Sequence, residues 1–540
     1  MRKILLVAFL SLFSVVFARE THEIIVFKNI VIMDIKTSNT QIFNDQTVHF
    51  IDVDLSNPDK EALTKILTKK FIGTPIDGES IQELKQEITA YYISINRPFV
   101  LVNFPSQKIS DGVVCVYIEE SHLSKVKIKG NKHFKDKYYE EAIRVQPGDA
   151  LSTDILGADI AWINRNPFRR AEIIYKPGEE EGTTDVDIVI RDRIPIKVFA
   201  GTNNTGFKET GYQRLFAGAY FGNLFNLDQL LSYQYTQDYH FKRFQSHTFF
   251  YEIPFPWRHL LVFFGGLSYV DAKVAIHNMS TKGKSYQAST RYVIPFFQGT
   301  TIPQEARFGI NWRQTNNTLV FGGNTISSQS VNIFQFIGEY RLSTSYPWAN
   351  YDFSAEAIAS PGRVMHHMKR SLYSSLRTNT SAYYFYLRSA VRQLYKLPNK
   401  MSVRADFLGQ ATTKKLLPSE QFGLGGYDSV RAYKERAVNA DNAVLLRTEL
   451  RSIPVKFIPK KDNAIIFYAF SDFGVGWNVL KTNATDQFKM SQILWGIGPG
   501  LNYYFEDKIS LRVDWGGQLS KVQGDHSGRN RVNFGAMISF

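Results

Sequence analysis

The chain has 540 residues, room for two or more domains, with 14% aromatic residues and a formal net charge of +14. Its one cysteine, Cys115, excludes an intramolecular disulfide and any multi-cysteine metal site. The charge is uneven, −4 over residues 1–192 and +18 over 193–540; together with the export signal described next, this argues against nucleic acid and for a basic lumen or loops facing anionic headgroups.

The first 18 residues read as a cleaved signal peptide: a basic start at Arg2 and Lys3, an apolar run from Ile4 to Phe17, and Val16-Phe17-Ala18 before Arg19. No later apolar run approaches the roughly 20 residues of a membrane helix. The longest, Leu260 to Gly266, is of strand length. The mature chain is therefore either soluble in an exported compartment or a barrel, whose strands give only half their residues to lipid; a mean hydropathy of −0.22 fits both. Residues 19–46 form an N-terminal extension with strand-like patterns at Ile24-Ile25-Val26-Phe27 and Ile30-Val31-Ile32.

Residues 47–122 read as strand, helix, helix, strand, strand. Val48 to Val53 is extended, and Leu63, Ile66 and Leu67 give helical spacing up to Gly73 and Pro75. Ile81, Leu84, Ile88 and Tyr91 or Tyr92 give a second helix. Val100 to Phe104 and Val113 to Ile118 complete the unit, with Cys115 expected as a buried structural thiol. Residues 123–193 repeat the order: a strand at Lys125 to Asn131, helices at Lys135 to Arg144 and Thr153 to Asn164, and a hairpin from Arg170 to Tyr175 and Asp185 to Ile190. Two such units after a signal peptide resemble POTRA domains, the periplasmic modules of outer-membrane protein translocators. The segments Lys127-Ile128-Lys129-Gly130-Asn131 and Asn164-Arg165-Asn166-Pro167-Phe168 carry that resemblance.

From 194 to 540 helical spacing gives way to period two. Leu511, Val513 and Trp515 oppose Ser510, Arg512 and Asp514, and Val444, Leu446, Thr448 and Leu450 oppose Arg447, Glu449 and Arg451. A soluble sandwich would turn the polar face to water, whereas a barrel turns it to the lumen. The last strand, with Val532, Phe534, Ala536, Ile538 and Phe540 in register, favours the barrel, since such an aromatic end resembles the signal read by barrel assembly machinery. The predicted fold class is a transmembrane β-barrel of about 16 antiparallel strands preceded by two small α+β POTRA-like domains.

The chemistry concentrates in two motifs. Gly423, Gly425 and Gly426 permit a tight reversal before Val430-Arg431-Ala432-Tyr433, so a loop around 423–438 can fold back into the lumen. Asp472, between Phe470 and Gly474, shares its parity with Tyr468 and must face inward because lipid would not tolerate it. A buried arginine needs an anionic partner, and Arg431 can reach Asp472 through two parallel hydrogen bonds. Taken singly, Arg431 is an ordinary solvated loop arginine and Asp472 a water-facing lumen residue. Together they resemble the Val-Arg-Gly-Tyr loop and Phe-x-Asp-x-Gly strand motifs of two-partner secretion transporters, which export large haemolysins and adhesins. The strand motif matches in full; the loop departs at Ala432, where glycine is usual, which puts the backbone of the tip in question.

The resemblance implies an outer-membrane exporter in a Gram-negative-type cell. Its partners are a protein with an N-terminal secretion signal, the barrel assembly machinery and outer-membrane lipid. Lys125, Lys127 and Lys129 form a face that either steers a client or is simply solvated. The family's N-terminal plug helix is not evident. His366-His367 lacks metal-ligand spacing, no nucleotide, cofactor or hydrolase motif is present, and no residues point to an enzyme. The rivals are an insertase of the same superfamily, which usually has three to five POTRA modules, and a passive porin-like channel.

Overall fold

The computed structural model describes residues 25–37, 46–109, 111–273, 279–296, 302–321, 324–479, 491–522 and 529–540; the signal peptide expected at 1–18 lies outside them. The chain divides into two compact units.

The first takes in the chain up to Lys127 with 145–154 and 174–187. It contains β1 (Asn29–Asp34), β2 (Val48–Ile51), α1 (Asn57–Phe71), α2 (Gly78–Ser94), β3 (Val100–Asn103) and β4 (Val113–Glu120). The sheet order is β2-β1-β4-β3. Ser56 caps α1 and Asp77 forms a capping box with Ser80 on α2, fixing where each helix starts. Leu63, Leu67, Leu84 and Ile88 then pack into one core with Ile30, Ile32, Val114 and Val116; Ile66, expected in that stripe, is 37% exposed.

One boundary moves. β1 lies within residues assigned from sequence to a separate extension, yet it runs parallel to both β2 and β4 as an inner strand. Its unbroken apolar run, Ile30 to Met33, suits a strand covered on both faces. Cys115 is half-buried rather than sealed. Gln107 clasps its backbone N–H and C=O, and burial pushes its thiol pKa up.

Next come β5 (His122–Lys129), α3 (Asp136–Ala142), α4 (Thr153–Ile163), β6 (Arg169–Pro177) and β7 (Thr183–Asp192), the repeated β-α-α-β-β order. Residues 128–144 and 155–173 belong to the second unit with everything from Ile188 onward.

That unit is dominated by a closed barrel of 16 strands. The first eight are β8 (Ile196–Asn203), β9 (Arg214–Leu224), β10 (Gln229–Asp238), β11 (Phe244–Pro254), β12 (Leu260–Lys273), β13 (Met279–Phe296), β14 (Gln304–Phe321) and β15 (Asn324–Ser345). After β16 (Ala349–Pro361), a loop carrying α5 (Arg370–Leu376) leads to β17 (Tyr383–Lys396) and β18 (Ser402–Thr412). A small hairpin of β19 (Phe422–Leu424) and β20 (Val438–Ala440) precedes β21 (Asn442–Arg451), β22 (Asn463–Trp477), β23 (Ser491–Phe505), β24 (Ile509–Gln518) and β25 (Asn530–Ser539). Neighbours are antiparallel, and β25 closes on β8 with Ser539 opposite Phe199 and Gly535 opposite Asn203. Period two is visible in burial: on β22, Phe467 and Phe473 are 52% and 37% exposed, while Phe470 and Asp472 are 4% and 0%. Exposed Trp257 and Trp348, stacked on Phe255 and Tyr346, mark one aromatic rim at the end where β8 begins. Phe534, Ile538 and Phe540 lie on the closing strand, with Phe540 and Val198 exchanging backbone hydrogen bonds.

The near-end turns hold residues from the 128–173 stretch. Arg169 reaches Asp228 between β9 and β10, Arg165 reaches Glu252 at the end of β11, and Arg258 before β12 reaches Asp159 of α4. Asn166 donates to the Gly222 carbonyl at 2.6 Å.

Candidate functional site

The chain between β18 and β21 turns back into the barrel, and the two-strand hairpin β19–β20 carries its tip. Gly425 and Gly426 hold φ of +101° and +112°. A Cβ there would lie 2.5 Å from the Lys434 carbonyl oxygen and 2.0 Å from the Glu435 carboxylate, so any larger residue strains the turn. Gly423 lacks a left-handed φ and sits in β19, where a Cβ would crowd Arg436. Val430, Arg431, Ala432 and Tyr433 are all 0% exposed.

Every nitrogen of Arg431 donates. Its backbone N–H and Nε donate to Asp472 Oδ2 at 3.0 and 2.7 Å, Nη2 donates to Asp472 Oδ1 at 2.7 Å, and Nη1 donates to Glu449 Oε1 at 2.7 Å. Asp514 Oδ1 lies 3.6 Å from Nη1. The guanidinium lies 3.7 Å from the Phe470 ring centroid, and the Arg431 carbonyl accepts from Asn533 Nδ2 at 2.9 Å. Arg512 holds the far oxygen of Asp514 at 2.8 Å. A charge this deeply buried persists only when so fully paired.

The small residues around the tip have complementary places. A Cβ on Gly474 would come within 3.0 Å of Leu424 and 3.2 Å of Val430, so the strand motif's glycine is the floor on which the loop rests. The question over Ala432 is resolved locally: its φ is not left-handed, and it packs onto Gly496 and Gly516, where added Cβ atoms would stand 2.6 and 2.8 Å from it. Tyr433 Oη donates to the Ser520 carbonyl at 2.6 Å and its own carbonyl accepts from Arg531. Ala432→Leu has no room against Gly496 and should release the tip, while Ala432→Gly should leave it seated. Protease cleavage within 423–438 on intact cells, seen for the first variant alone, checks this.

Sequence reasoning put Glu449 and Asp514 on the inner face without joining them to Arg431. It missed two anchors at the loop's base. Glu420 takes hydrogen bonds from Arg313 at 2.9 Å, Gln335 at 2.7 Å and Tyr386 at 2.8 Å. Asp441 is held by both Nη atoms of Arg377 and by the Leu416 and Val479 amides. Nothing in the spacing marks either acid. Of the three lysines, Lys125 pairs with Glu179 and Asp185 within its own module, while Lys127 and Lys129 are exposed. The His366 backbone carbonyl accepts a hydrogen bond from Asn332 Nδ2 at 2.8 Å, and no metal-binding group of three is present among the described residues.

Residues 182–503 match the model of the haemolysin secretion/activation proteins ShlB/FhaC/HecB, and 121–193 match a POTRA model, the surface antigen variable number repeat. The heme/hemopexin transporter protein HuxB of Haemophilus influenzae (strain 86-028NP) is 20% identical over 465 residues, covering 83% of this chain and 79% of HuxB. The outer membrane transporter CdiB of Dickeya dadantii is 22% identical over 430 residues, covering 71% and 68%. Among solved structures, CdiB from Escherichia coli superposes with a TM-score of 0.77 at 16% identity, covering 97% of this chain and 92% of that one, a likeness of fold.

Proposed function

This chain belongs to the haemolysin secretion/activation family, and on that premise we propose that it exports a large unfolded partner protein of haemolysin or adhesin type. It is an outer-membrane two-partner secretion transporter with its N-terminal modules in the periplasm. The barrel end where β8 begins is then periplasmic, and the opposite end opens to the cell exterior.

The reading of the site rests on one observation: a loop whose tip arginine is hydrogen-bonded through all three guanidinium nitrogens to Asp472 and Glu449 inside the barrel. In our reading, that pinned loop occupies a fixed share of the lumen and leaves the rest for passage. The modules, taken as 47–122 and 123–193 with β1 added to the first, capture the client's N-terminal signal by strand addition at a free sheet edge. Edges β2 and β3 of the first sheet are available in topology. The lumen conducts the chain, folding outside supplies the drive, and the protein acts as a conduit without catalysis of its own. The aromatic end at Phe540 would serve barrel assembly.

Comparing secreted and outer-membrane proteomes with and without this protein tests the proposal. The expected result is loss of one or two large exported proteins with other barrels unchanged. A broad fall in many barrels would mean an insertase. An unchanged secretome with high steady conductance would mean a passive channel.

A further inference from the structure

We propose that the client travels along one particular wall of the lumen, the inner face of β9–β12, as an extended chain held by neutral hydroxyl and amide side chains; this rests on the exporter reading above.

Cross-strand partners in an antiparallel sheet share a face, so the lumen side can be followed by register. Arg313 touches Glu420 of the inward loop. Its partner is Gln287, and the ring continues through Gly266, Thr248 and Gln234 to Gly218. Steps of two from these positions put Ser232, Thr236, Ser246 and Ser268 on the same face, interleaved with the apolar Phe216, Phe250, Val262 and Phe264. Among the described residues of β9–β12 on this face, the charged ones are Arg214 and Asp238 at the outer end and Glu252 at the periplasmic end. The stretch between carries no charge.

The opposite wall differs in two ways. It bears Asp406, Arg447, Glu449, Asp472, Arg512 and Asp514, and it is filled: Asp472, Asp514 and Asn533 are 0% exposed beneath the loop. On the neutral wall, Tyr220 and Phe264 stay 39% and 36% exposed although they face the lumen. Space therefore remains along β9–β12, whereas beneath the loop the inner face of β21–β25 is filled and opens only at its periplasmic end, where Tyr504 and Met537 are 43% and 37% exposed.

A second observation points to the same strands. The segment Arg165–Arg169 of the second module engages Gly222, Asp228 and Glu252, the periplasmic ends of β9, β10 and β11. This segment of the second module lies at the foot of the neutral wall. An unfolded chain needs partners for its peptide groups, which Ser, Thr and Gln supply as donors and acceptors. Conduction also requires contacts weak enough to release, and fixed arginines and carboxylates would hold the client's own charges.

The test uses the full-length protein in secreting cells, with photo-crosslinking benzoylphenylalanine placed in turn at Ser232, Thr248 and Ser268, and at Ser354 and Ala390, which face the lumen on β16 and β17. The expected result is adducts at the first three positions and not at the last two, each adduct partner being a protein whose secretion the deletion strain loses. Adducts only at 354 or 390, equal adducts at all five, or none anywhere while secretion is normal would overturn the path. An unchanged secretome in the deletion strain would instead overturn the exporter reading beneath it.

Discussion

Arg431→Ala should abolish export of the client while the barrel remains inserted. Removing the guanidinium leaves Asp472 and Glu449 without the donors that now reach them at 2.7 Å. The remaining cation nearest Asp472, Arg447, stands 3.8 Å away. Breaking a buried pair by deleting one partner costs about 3–5 kcal/mol, enough to shift a pinned-to-released equilibrium by about 100-fold or more. Asp472→Ala should match it. Arg431→Lys should fail nearly as badly, because one ammonium cannot reproduce the fork that spans Asp472 and Glu449. Asp472→Asn should retain part of the activity, since Glu449 and Asp514 still neutralise the arginine. The charge swap Arg431→Asp with Asp472→Arg should not rescue, because the new aspartate would face Glu449 and Asp514. Client in the medium is the readout, with heat-modifiable gel mobility reporting the folded barrel. Normal export from Arg431→Ala sinks the assigned role.

How far the sequence reached has physical reasons. Period two is clear on β21, β22 and β24 because one face meets apolar surroundings and the other the lumen, so Asp472, Glu449 and Asp514 were legible as inward residues. Their convergence on one guanidinium was not, because it depends on which strands become neighbours on closure and on where the loop's tip comes to rest. Ala432 shows the same limit: its compensation lies in Gly496 and Gly516, far along the chain, and no local pattern links them. β1 was legible as a strand but not as an inner one, since its parallel partners begin at Val48 and Val113 and an unbroken apolar run carries no face information. Glu420, Asp441 and Arg377 lie in loops or beside a short helix, without periodicity to give them away.

Cutting the Arg169–Asp228 clasp should reduce export, and cutting it together with Arg258–Asp159 should abolish export as losing Arg431 does, by a different route. Arg169 is buried at 5% exposure. It donates to both oxygens of Asp228 and to the Ile163 carbonyl, and it lies 4.2 Å from the Tyr138 ring centroid and 4.8 Å from that of Phe134. Burial, and then the Asp228 carboxylate, push the Tyr138 phenol far above its usual range, so it stays neutral beside the arginine at any working pH. Arg169→Ala therefore leaves Asp228 uncompensated and opens a void among aromatic rings, a loss of about 3–5 kcal/mol at the foot of the barrel. Asp228→Ala should do the same from the barrel side. The two remaining clasps, Arg258–Asp159 and Arg165–Glu252, should keep single variants assembled, and combining Arg169→Ala with Arg258→Ala should abolish export. If the module's position matters only for delivery, client should accumulate in the periplasm, loop protection should stay normal, and barrel conductance should not change. Arg431 variants should instead lose loop protection. Equal export from the double variant and wild type would show that delivery does not depend on this docking.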